Sequence, residues 1–373
     1  MKKVVDTILL LLVIYFLSPV GGTWFYIAGI RWIYLILLSS MICYLLVPIA
    51  MKLAERLDWL DYPDARKVHK VPIPRIGGLA VSLAFMITIV RNLQFSNEIQ
   101  GLLYATSLIL MISFLDDIFG VEAWIKLVVQ IIATLIIISF GYRITVIPNH
   151  WPFEREIEII ITILWFVGVT NAINFLDGID GLVSSFGIFC SGIFLVLSVL
   201  TGQKFLGYIV ATLIGSCLGF LHYNWNPAKI FLGDSGSTLI GFVLAAVSVV
   251  GFWAEKNVII AASTPLLILG VPIYDIIYTP ISRIKKGKVR SFKQWIDYVG
   301  KDHIHHRLLN LGFSVKESVG IIILITFCLG LSTIVMRYLL KEVVGTILLL
   351  TQAVAIFILI SIIMIAGRRD IVE

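Results

Sequence analysis

Twelve apolar runs dominate this sequence and limit the folds open to it, because they leave few long segments that could be exposed to water. The chain has 373 residues, of which 59% are hydrophobic and 14% charged, whereas soluble domains carry roughly 25% charged residues. Because a helix needs about 20 apolar residues to cross a membrane, we predict an all-α, polytopic integral membrane protein with about 11–12 transmembrane helices. A soluble globule, a disordered chain and a disulfide scaffold are excluded. The runs lie near 4–20, 32–51, 78–90, 101–115, 123–140, 157–170, 182–200, 205–222, 236–253, 258–279, 318–336 and 343–366.

Three of these runs depart from the pattern of a simple span. The runs at 78–90 and 157–170 are short, which predicts tilted or partly interfacial segments. The first run resembles the apolar core of a signal peptide, but Asp6 interrupts its start and no clear cleavage site follows. We therefore interpret 1–31 as an additional N-terminal anchor. No repeat or linker divides the chain, so we predict one membrane-embedded domain over 1–373.

The distribution of lysine and arginine predicts the orientation in the membrane. Two loops, 52–77 and 280–317, hold 15 of the 29 basic residues. Cytoplasmic loops of membrane proteins carry such an excess, so both loops and both chain termini are predicted to be cytoplasmic. The same bias accounts for the net charge of +6, and no nucleic-acid partner is expected.

Every polar cluster suited to chemistry falls on this predicted cytoplasmic side, in loops 52–77, 116–122, 171–181, 223–235 and 280–317. Ordinary solvated helix ends would be expected on both sides of the membrane. We therefore predict a single polar site at the cytoplasmic face. The clusters are Asp58-x-x-Asp61-x-x-Asp64, Asp116-Asp117, Asn171-x-x-Asn174-x-x-Asp177-Gly178-Ile179-Asp180-Gly181, Gly233-Asp234-Ser235-Gly236-Ser237 and His303-Ile304-His305-His306-Arg307.

The residue types in these clusters indicate a hard metal ion and phosphate. Adjacent carboxylates repel and need a cation, and oxygen ligands without thiols favour Mg²⁺, with Mn²⁺ as the alternative. Small residues that open a helix suit phosphate binding, although Ser235 or Ser237 could be a plain N-cap. The histidines fit hydrogen bonding to phosphate or sugar better than zinc. Asp275 either assists them or pairs with a basic neighbour. The residues alone predict metal-dependent phosphotransfer involving a membrane lipid.

Six motifs in order carry a family resemblance between about residues 58 and 315. Together they resemble the polyprenyl-phosphate N-acetylhexosamine-1-phosphate transferase family, and most closely its bacterial undecaprenyl-phosphate N-acetylglucosaminyl-1-phosphate transferases. The His-Ile-His-His form favours this branch over the peptidoglycan branch. The motifs are Asp61-Tyr-Pro-Asp64-Ala-Arg66-Lys67-Val-His69, Pro72-Ile-Pro74-Arg75-Ile-Gly77-Gly78, Leu115-Asp116-Asp117, Asn174-Phe-Leu-Asp177-Gly-Ile-Asp180-Gly-Leu, Phe231-Leu-Gly-Asp234-Ser-Gly-Ser and His303-Ile-His305-His306-Arg307.

The resemblance implies a reaction, its substrates and a location. The phosphate oxygen of undecaprenyl phosphate would attack the β-phosphorus of a UDP-N-acetylhexosamine, with UDP-GlcNAc as the expected donor. The reaction would release UMP, form a lipid pyrophosphoryl sugar and begin synthesis of a cell-surface polysaccharide. The implied location is the bacterial cytoplasmic (inner) membrane, with the active site facing the cytoplasm. The family also gives a hint of a homodimer.

The resemblance further implies roles for single residues. Asp234 is the expected Mg²⁺ ligand and Asp180 its helper, with Asn174 and Asp177 in the same shell. Asp116 is expected to act as a base or to position the lipid phosphate, with Asp117 beside it, and Lys126 is expected to contact a phosphate. The uracil ring is expected to contact Asn224 and Phe231. The pyrophosphate or sugar is expected to contact His303, His305, His306 and Arg307, and further phosphate contacts are expected from Arg75 and Lys67. Because a phosphate monoester is largely dianionic at pH 7, we favour positioning and metal binding over base catalysis for Asp116.

The sequence leaves alternatives to this donor and to this activity open. The same mechanism could use another UDP-N-acetylhexosamine or UDP-linked MurNAc-pentapeptide. A secondary transporter also places carboxylates in a helix bundle, but usually near the bilayer midplane and often with inverted repeats. A structural scaffold would not need six ordered polar motifs. Ile118-Phe119-Gly120 follows the Asp116-Asp117 pair where the family often has another charged residue, which leaves the number of metal contacts there open.

Overall fold

The computed structural model describes residues 2–18, 20–63, 71–93, 96–148, 151–254, 257–285, 287, 300, 302–338 and 343–367. A two-residue antiparallel pair, β1 (Leu60–Asp61) and β2 (Ile73–Pro74), joins Leu60 to Pro74 and Asp61 to Ile73. The helices are α1 (Lys2–Leu17), α2 (Thr23–Ile27), α3 (Arg31–Leu57), α4 (Gly77–Asn92), α5 (Asn97–Phe119), α6 (Ala123–Ser139), α7 (Glu154–Leu176), α8 (Leu182–Leu200), α9 (Lys204–Asn224), α10 (Gly233–Val250), α11 (Val258–Ile268), α12 (Gly270–Lys285), α13 (Ile304–Asn310), α14 (Val315–Tyr338) and α15 (Val343–Ala366).

Each of the twelve predicted apolar runs is a helix or a bent helix pair, which confirms the all-α, multi-pass membrane class. In the described ranges, eight helices are long and apolar enough to span a membrane. The pair α11 and α12 would make a ninth span, bent by 76°. Three further apolar helices, α1, α4 and α6, are shorter. The prediction that 157–170 is short for a span was wrong, because α7 extends this run at both ends to 23 residues.

Helix α10 lies at the centre of the bundle. Within its most apolar stretch 83% of the residues are buried inside the protein, against 17% for α15. Its neighbours are mainly α4, α5 and α7. This central helix begins with the Gly233-Asp234-Ser235 motif, so the position of Asp234 is fixed by surrounding protein on several sides.

Glycines bring the helix backbones into close contact. Gly78 at the start of α4 lies directly on Gly236 of α10, where a methyl group on Gly78 would overlap the Gly236 backbone nitrogen. Gly215 and Gly219 of α9 lie in the same way against the Ser39 region of α3. Small residues at this spacing allow close helix packing in membranes. The α4–α10 contact holds the loop before α4 against the start of α10.

The N-terminal helix α1 packs along α3. Val13 is buried, and the Tyr34 hydroxyl of α3 donates a hydrogen bond to the Phe16 carbonyl at 2.7 Å. The interpretation of 1–31 as an added anchor stays a prediction.

Candidate active site

The predicted site residues meet at one end of the helix bundle. Helices α5, α7 and α9 end there, and α6, α8 and α10 begin there, because consecutive helices run in opposite directions. Asp116 near the end of α5 and Asp234 at the start of α10 are joined through Lys126 near the start of α6. The structure therefore brings together clusters that are more than 100 residues apart in the sequence.

Lys126 is the centre of this network. Its Nζ lies 2.8 Å from Asp116 Oδ2 and 2.9 Å from Asp234 Oδ2. The Asn174 amide donates to the same Asp234 oxygen at 3.3 Å, and Asn174 Oδ1 accepts from the Ser237 hydroxyl at 2.7 Å. All these side chains except Ser237 keep partial exposure. A phosphate that entered here would meet a lysine already positioned between two carboxylates.

Asp117 has a different environment from its neighbour. Its side chain is fully buried and accepts hydrogen bonds from the backbone N–H groups of Asp234 at 2.8 Å and Ser235 at 3.0 Å. Two free N–H groups at a helix start need such acceptors. The Arg75 guanidinium lies 3.8 Å from both Asp117 and Asp234. Asp117 therefore caps α10 from a different helix and sets the position of Asp234.

Asp177 adds a further carboxyl group directly after α7. Burial, together with the negative charges of Asp234 and Asp117, raises the pKa of Asp177 to about 8. Lys126 and Arg75 are the cations that contact the Asp116, Asp117 and Asp234 carboxylates in the described part of the chain. The Asp116, Asp117 and Asp234 carboxylates thus outnumber these two cations, and a divalent cation would balance the excess charge and favour the ionised form of Asp177.

The donor set fits Mg²⁺. Carboxylate and amide oxygens of Asp116, Asp234, Asp177 and Asn174 are the available ligands, and such oxygens are the ones that this ion prefers. Over the described residues, no three His, Cys, Asp or Glu side chains form a ready coordination cluster. Mg²⁺ usually binds through one or two carboxylates together with substrate phosphates and water, so this open arrangement suits an ion that arrives with its substrate.

A cavity of about 350 Å³ opens beside these carboxylates. It is lined by 58–61 from the β1 region, by Arg75 and by 116–120 at the end of α5. Its volume lies at the lower end of the range for small-molecule pockets. Strand β1, whose position the sequence did not predict, forms part of this wall.

Asp180, the expected helper of Asp234, makes different contacts. Its Oδ2 accepts hydrogen bonds from the Asn226 amide at 2.9 Å and from the Ala228 backbone N–H at 3.0 Å. These bonds fix the loop between α9 and α10. No described hydrogen bond joins Asp180 to Asp234, and its role as a metal helper stays a prediction.

Asn224, expected at uracil, is buried and bonded within the protein. Its Oδ1 accepts from the Gly181 N–H at 3.0 Å, and its amide donates to the Ile230 carbonyl at 3.0 Å. Phe231 is half-buried, and its backbone N–H donates to the Pro74 carbonyl at 2.8 Å. Asn224 therefore supports the loop that carries Phe231, while contact of either residue with uracil stays a prediction.

The His303-Ile304-His305-His306-Arg307 motif forms the start of α13 and reaches the Asp177 loop through His305. His305 is 1% exposed, and a methyl group at Gly178 would overlap its Nε2. Burial and the neighbouring His306 and His303 lower the pKa of His305 well below 6.5, so the ring is neutral at pH 7. Both ring nitrogens are buried without a hydrogen-bond partner in the described structure. Gly178 is thus required for the contact between the two motifs.

His303 lies beside Asp275 of α12. Its Nδ1 is 2.7 Å from Asp275 Oδ2, and the Ile304 N–H donates to Asp275 Oδ1 at 3.0 Å. The His303 ring stacks on Phe175 at the end of α7, with ring centroids 5.5 Å apart. Asp275 therefore contacts the histidine motif, while its assistance to the reaction stays a prediction.

Asp302 is a residue that the sequence analysis missed. It accepts a bidentate pair of hydrogen bonds from Arg283, at 2.8 and 2.6 Å, and its carbonyl accepts from Arg307 Nε at 3.1 Å. Although burial opposes ionisation, the Arg283 guanidinium lowers the pKa of Asp302 below its ordinary value. The sequence did contain a signal for Asp302, because it is an acidic residue directly before His303 in a mostly basic loop.

Lys67, which was expected to contact phosphate, lies outside the described residues.

Comparison with known proteins supports the expected family. The model of the family described as glycosyl transferase family 4 matches residues 99–252, which include Asp116, Lys126, Asp177 and Asp234. The chain is 32% identical over 313 residues to a probable undecaprenyl-phosphate N-acetylglucosaminyl 1-phosphate transferase of Bacillus subtilis, covering 83% of this chain and 86% of that protein.

Two further relatives extend the comparison. A decaprenyl-phosphate N-acetylglucosaminephosphotransferase of Mycobacterium leprae is 32% identical over 321 residues, covering 77% of this chain and 79% of that protein. A phospho-N-acetylmuramoyl-pentapeptide-transferase of Desulforamulus reducens is 30% identical over 245 residues, covering 57% of this chain and 72% of that protein. The similarity to the first of these two, like that to the Bacillus protein, extends well beyond the family-model region. The chain belongs to the polyprenyl-phosphate N-acetylglucosamine-1-phosphate transferase family.

Proposed function

We propose that this protein transfers GlcNAc-1-phosphate from UDP-GlcNAc to undecaprenyl phosphate with the help of Mg²⁺, at the cytoplasmic face of the bacterial inner membrane. Polyprenyl-phosphate sugar-1-phosphate transfer is the activity common to its relatives. The observation that carries the proposal is the bridge from Asp116 through Lys126 to Asp234 at the end of an otherwise apolar bundle. The product would begin a cell-surface polysaccharide.

The proposed reaction needs no general base from the protein. An oxygen of the lipid phosphate attacks the β-phosphorus of the UDP-sugar, and the bond from that phosphorus to the α–β bridging oxygen breaks. UMP leaves with the electron pair, and the lipid keeps a pyrophosphate linked to the sugar. Because the second pKa of a phosphate monoester is about 6, the attacking oxygen is already largely deprotonated at pH 7. The protein needs to position two anions and stabilise the charge that develops between them.

Basic and acidic side chains would have different roles in positioning the two anions. Lys126 would contact the transferred phosphate, and the position of its Nζ between the Asp116 and Asp234 carboxylates supports this role. Arg75 is 44% exposed at the cavity wall and supplies a second cation. Asp116 and Asp234 keep Lys126 in place and repel a phosphate that is not matched by a cation. These residues therefore favour a metal-bound pyrophosphate over a free one.

Mg²⁺, when bound, would neutralise phosphate charge and orient the reacting groups. Asp234 is the proposed principal ligand, with Asp177 and Asn174 as its neighbours and Asp116 across the site. This proposal draws on the oxygen-only donor set and on the excess of carboxylates over the contacting cations.

The testing experiment uses purified protein in detergent with undecaprenyl phosphate, Mg²⁺ and a panel of UDP-sugars, with UMP release as the readout. We expect release that needs both lipid and metal, is fastest with UDP-GlcNAc and stops when EDTA is added. Asp234→Ala should abolish it, and Lys126→Met should lower kcat by about 10²–10³-fold, as for loss of one preorganised charge donor. Mn²⁺ in place of Mg²⁺ decides between the two ions.

A matched control is Glu156→Gln. This exposed acid lies at the opposite end of α7 from Asn174 and should leave UMP release unchanged. Absence of UMP release with every UDP-sugar, from protein that unfolds cooperatively, would contradict the proposed activity. Fastest release with another UDP-sugar would keep the mechanism and change the assigned donor.

A further inference from the structure

The three histidines of the α13 motif have unequal surroundings, and Asp275 is the reason. Asp275 is 2% exposed and lies on α12, more than one helical turn before Arg283. One of its oxygens faces His303 Nδ1 at 2.7 Å, and the other accepts the Ile304 N–H at 3.0 Å. A carboxylate oxygen accepts hydrogen bonds, so this geometry suits a His303 ring that carries its proton on Nδ1.

Nε2 is consequently the polar ring atom of His303 that is available to a ligand. In the described structure, Nε2 of His303 has no hydrogen-bond partner, and the ring is held flat against Phe175 by stacking. The neighbouring His305, by contrast, has both nitrogens buried against the Asp177 loop. The ring of His303 is therefore fixed from two sides, by Asp275 at its edge and by Phe175 at its face.

We propose that Asp275 is a positioning residue that acts through His303: it fixes the ring orientation and the proton at Nδ1, so that Nε2 is the atom presented to the phosphate or sugar of the donor. This inference rests on the proposed transfer reaction for its activity test. It adds a residue from α12 to a site built from the ends of α5, α6, α7 and α10, the loop before α4 and the histidine motif of α13.

The role also links the bent pair of helices to the site. Asp275 belongs to the second half of the pair α11–α12, which turns by 76° relative to the first half. The Asp275 carboxylate, which belongs to a mostly apolar segment, thus lies beside the start of α13. There it accepts a backbone N–H of this short helix and contacts the His303 ring. The Thr279 hydroxyl, one turn further along α12, donates a longer bond of 3.4 Å to the same carboxylate.

The decisive experiment is a double-mutant cycle with wild type, Asp275→Asn, His303→Ala and the double variant, measured as kcat/KM for UMP release. We expect Asp275→Asn to lower kcat/KM by about 10- to 100-fold, as for other groups that orient a functional histidine. In the His303→Ala background the same change should alter kcat/KM by less than threefold, because its target is gone. Independent, multiplying losses would overturn the inference, since they would mean that Asp275 only supports the fold.

A matched control is Tyr274→Phe on the same helix. This change removes a hydrogen bond to Ser361 of α15 next to Asp275, and its effect should be small and the same with or without His303. Thermal unfolding of all variants separates a loss of fold from a loss of positioning. Should Asp275→Asn fail to fold, Asp275→Glu replaces it in the cycle.

A second measurement decides the inference without turnover. Nitrogen-15 NMR of histidine-labelled protein in lipid reports which ring nitrogen carries the proton, and the His303 signals are assigned by their loss in His303→Ala. We expect a proton at Nδ1 in the wild type and its movement to Nε2 in Asp275→Asn, whose amide would donate to Nδ1. A wild-type His303 protonated only at Nε2 would refute the proposal. An inactive wild-type protein would contradict the proposed function instead, and the NMR result would still stand.

Discussion

Replacing Asp117 by alanine tests whether this buried carboxylate holds the central helix in place. The change removes the acceptors of two backbone N–H groups, those of Asp234 and Ser235. An unpaired buried donor costs about 1–3 kcal/mol, and loss of an acidic N-cap costs about 0.5–2 kcal/mol. We therefore expect the free energy of unfolding to fall by about 2–4 kcal/mol. At about 2–4 °C per kcal/mol for a large domain, the melting temperature should fall by about 5–15 °C.

The assay is thermal unfolding in detergent, followed by tryptophan fluorescence, with UMP release measured on the same samples. Asp117→Asn keeps one acceptor and should lose about half as much stability. Asp116→Asn is the matched control, because this neighbouring carboxylate bonds Lys126 and the Val121 N–H rather than the start of α10. It should lose activity with little change in melting temperature. An Asp117→Ala protein as stable as the wild type but inactive would refute the capping argument, since the carboxylate would then serve the reaction directly.

Two further predictions concern the α13 region. Gly178→Ala would place a methyl group on His305 Nε2, so we expect UMP release to fall at least tenfold, whereas Gly168→Ala, where a methyl group meets nothing within 4 Å, should behave as the wild type. Normal activity of Gly178→Ala would contradict the close contact. Asp302→Asn should lower the free energy of unfolding by about 3 kcal/mol at pH 7, because it removes the carboxylate that accepts two hydrogen bonds from the buried Arg283. Since the folded pKa of Asp302 lies below 3.8, the stabilising contribution of the ionised group is complete well above pH 3.8 and is lost as the pH falls through the folded pKa. Denaturant unfolding of both proteins from pH 7 to pH 3 should therefore show converging stabilities, and a constant difference would refute the ion-pair argument.

The sequence predicted the helices well because apolar runs report directly on segments that leave water. Each run is a helix or a bent pair, and the placement of all clusters at one end follows from the alternation of helix direction. Length was harder to predict: 157–170 lies inside a full span because the polar residues Asn171 and Asn174 continue α7 beyond the apolar part. Hydropathy records where a helix leaves the apolar layer, not where its hydrogen bonds end.

The roles of neighbouring acids could not be predicted from the sequence in the same way. Asp116 and Asp117 are adjacent, yet one bonds a lysine side chain and the other caps α10. Side chains of consecutive helical residues point about 100° apart, so what each one meets depends on which helices approach, which the local pattern does not encode. Asp180 and Asn224 show the same limit, because both look like ligands in the sequence and both bond neighbouring loops in the structure.

The burial of α10 has a consequence for how the protein responds to its lipid surroundings. A change in bilayer thickness acts on helices that touch acyl chains, by tilting them or by deforming the bilayer around them. Helix α15, with 17% of its apolar stretch buried, is open to that force, whereas α10, with 83% buried, is shielded from it. The position of Asp234 is consequently set by protein contacts such as that of Gly236 with Gly78, so lipids with longer or shorter chains can tilt the outer helices while Asp234 keeps its distances to Lys126 and Asp117.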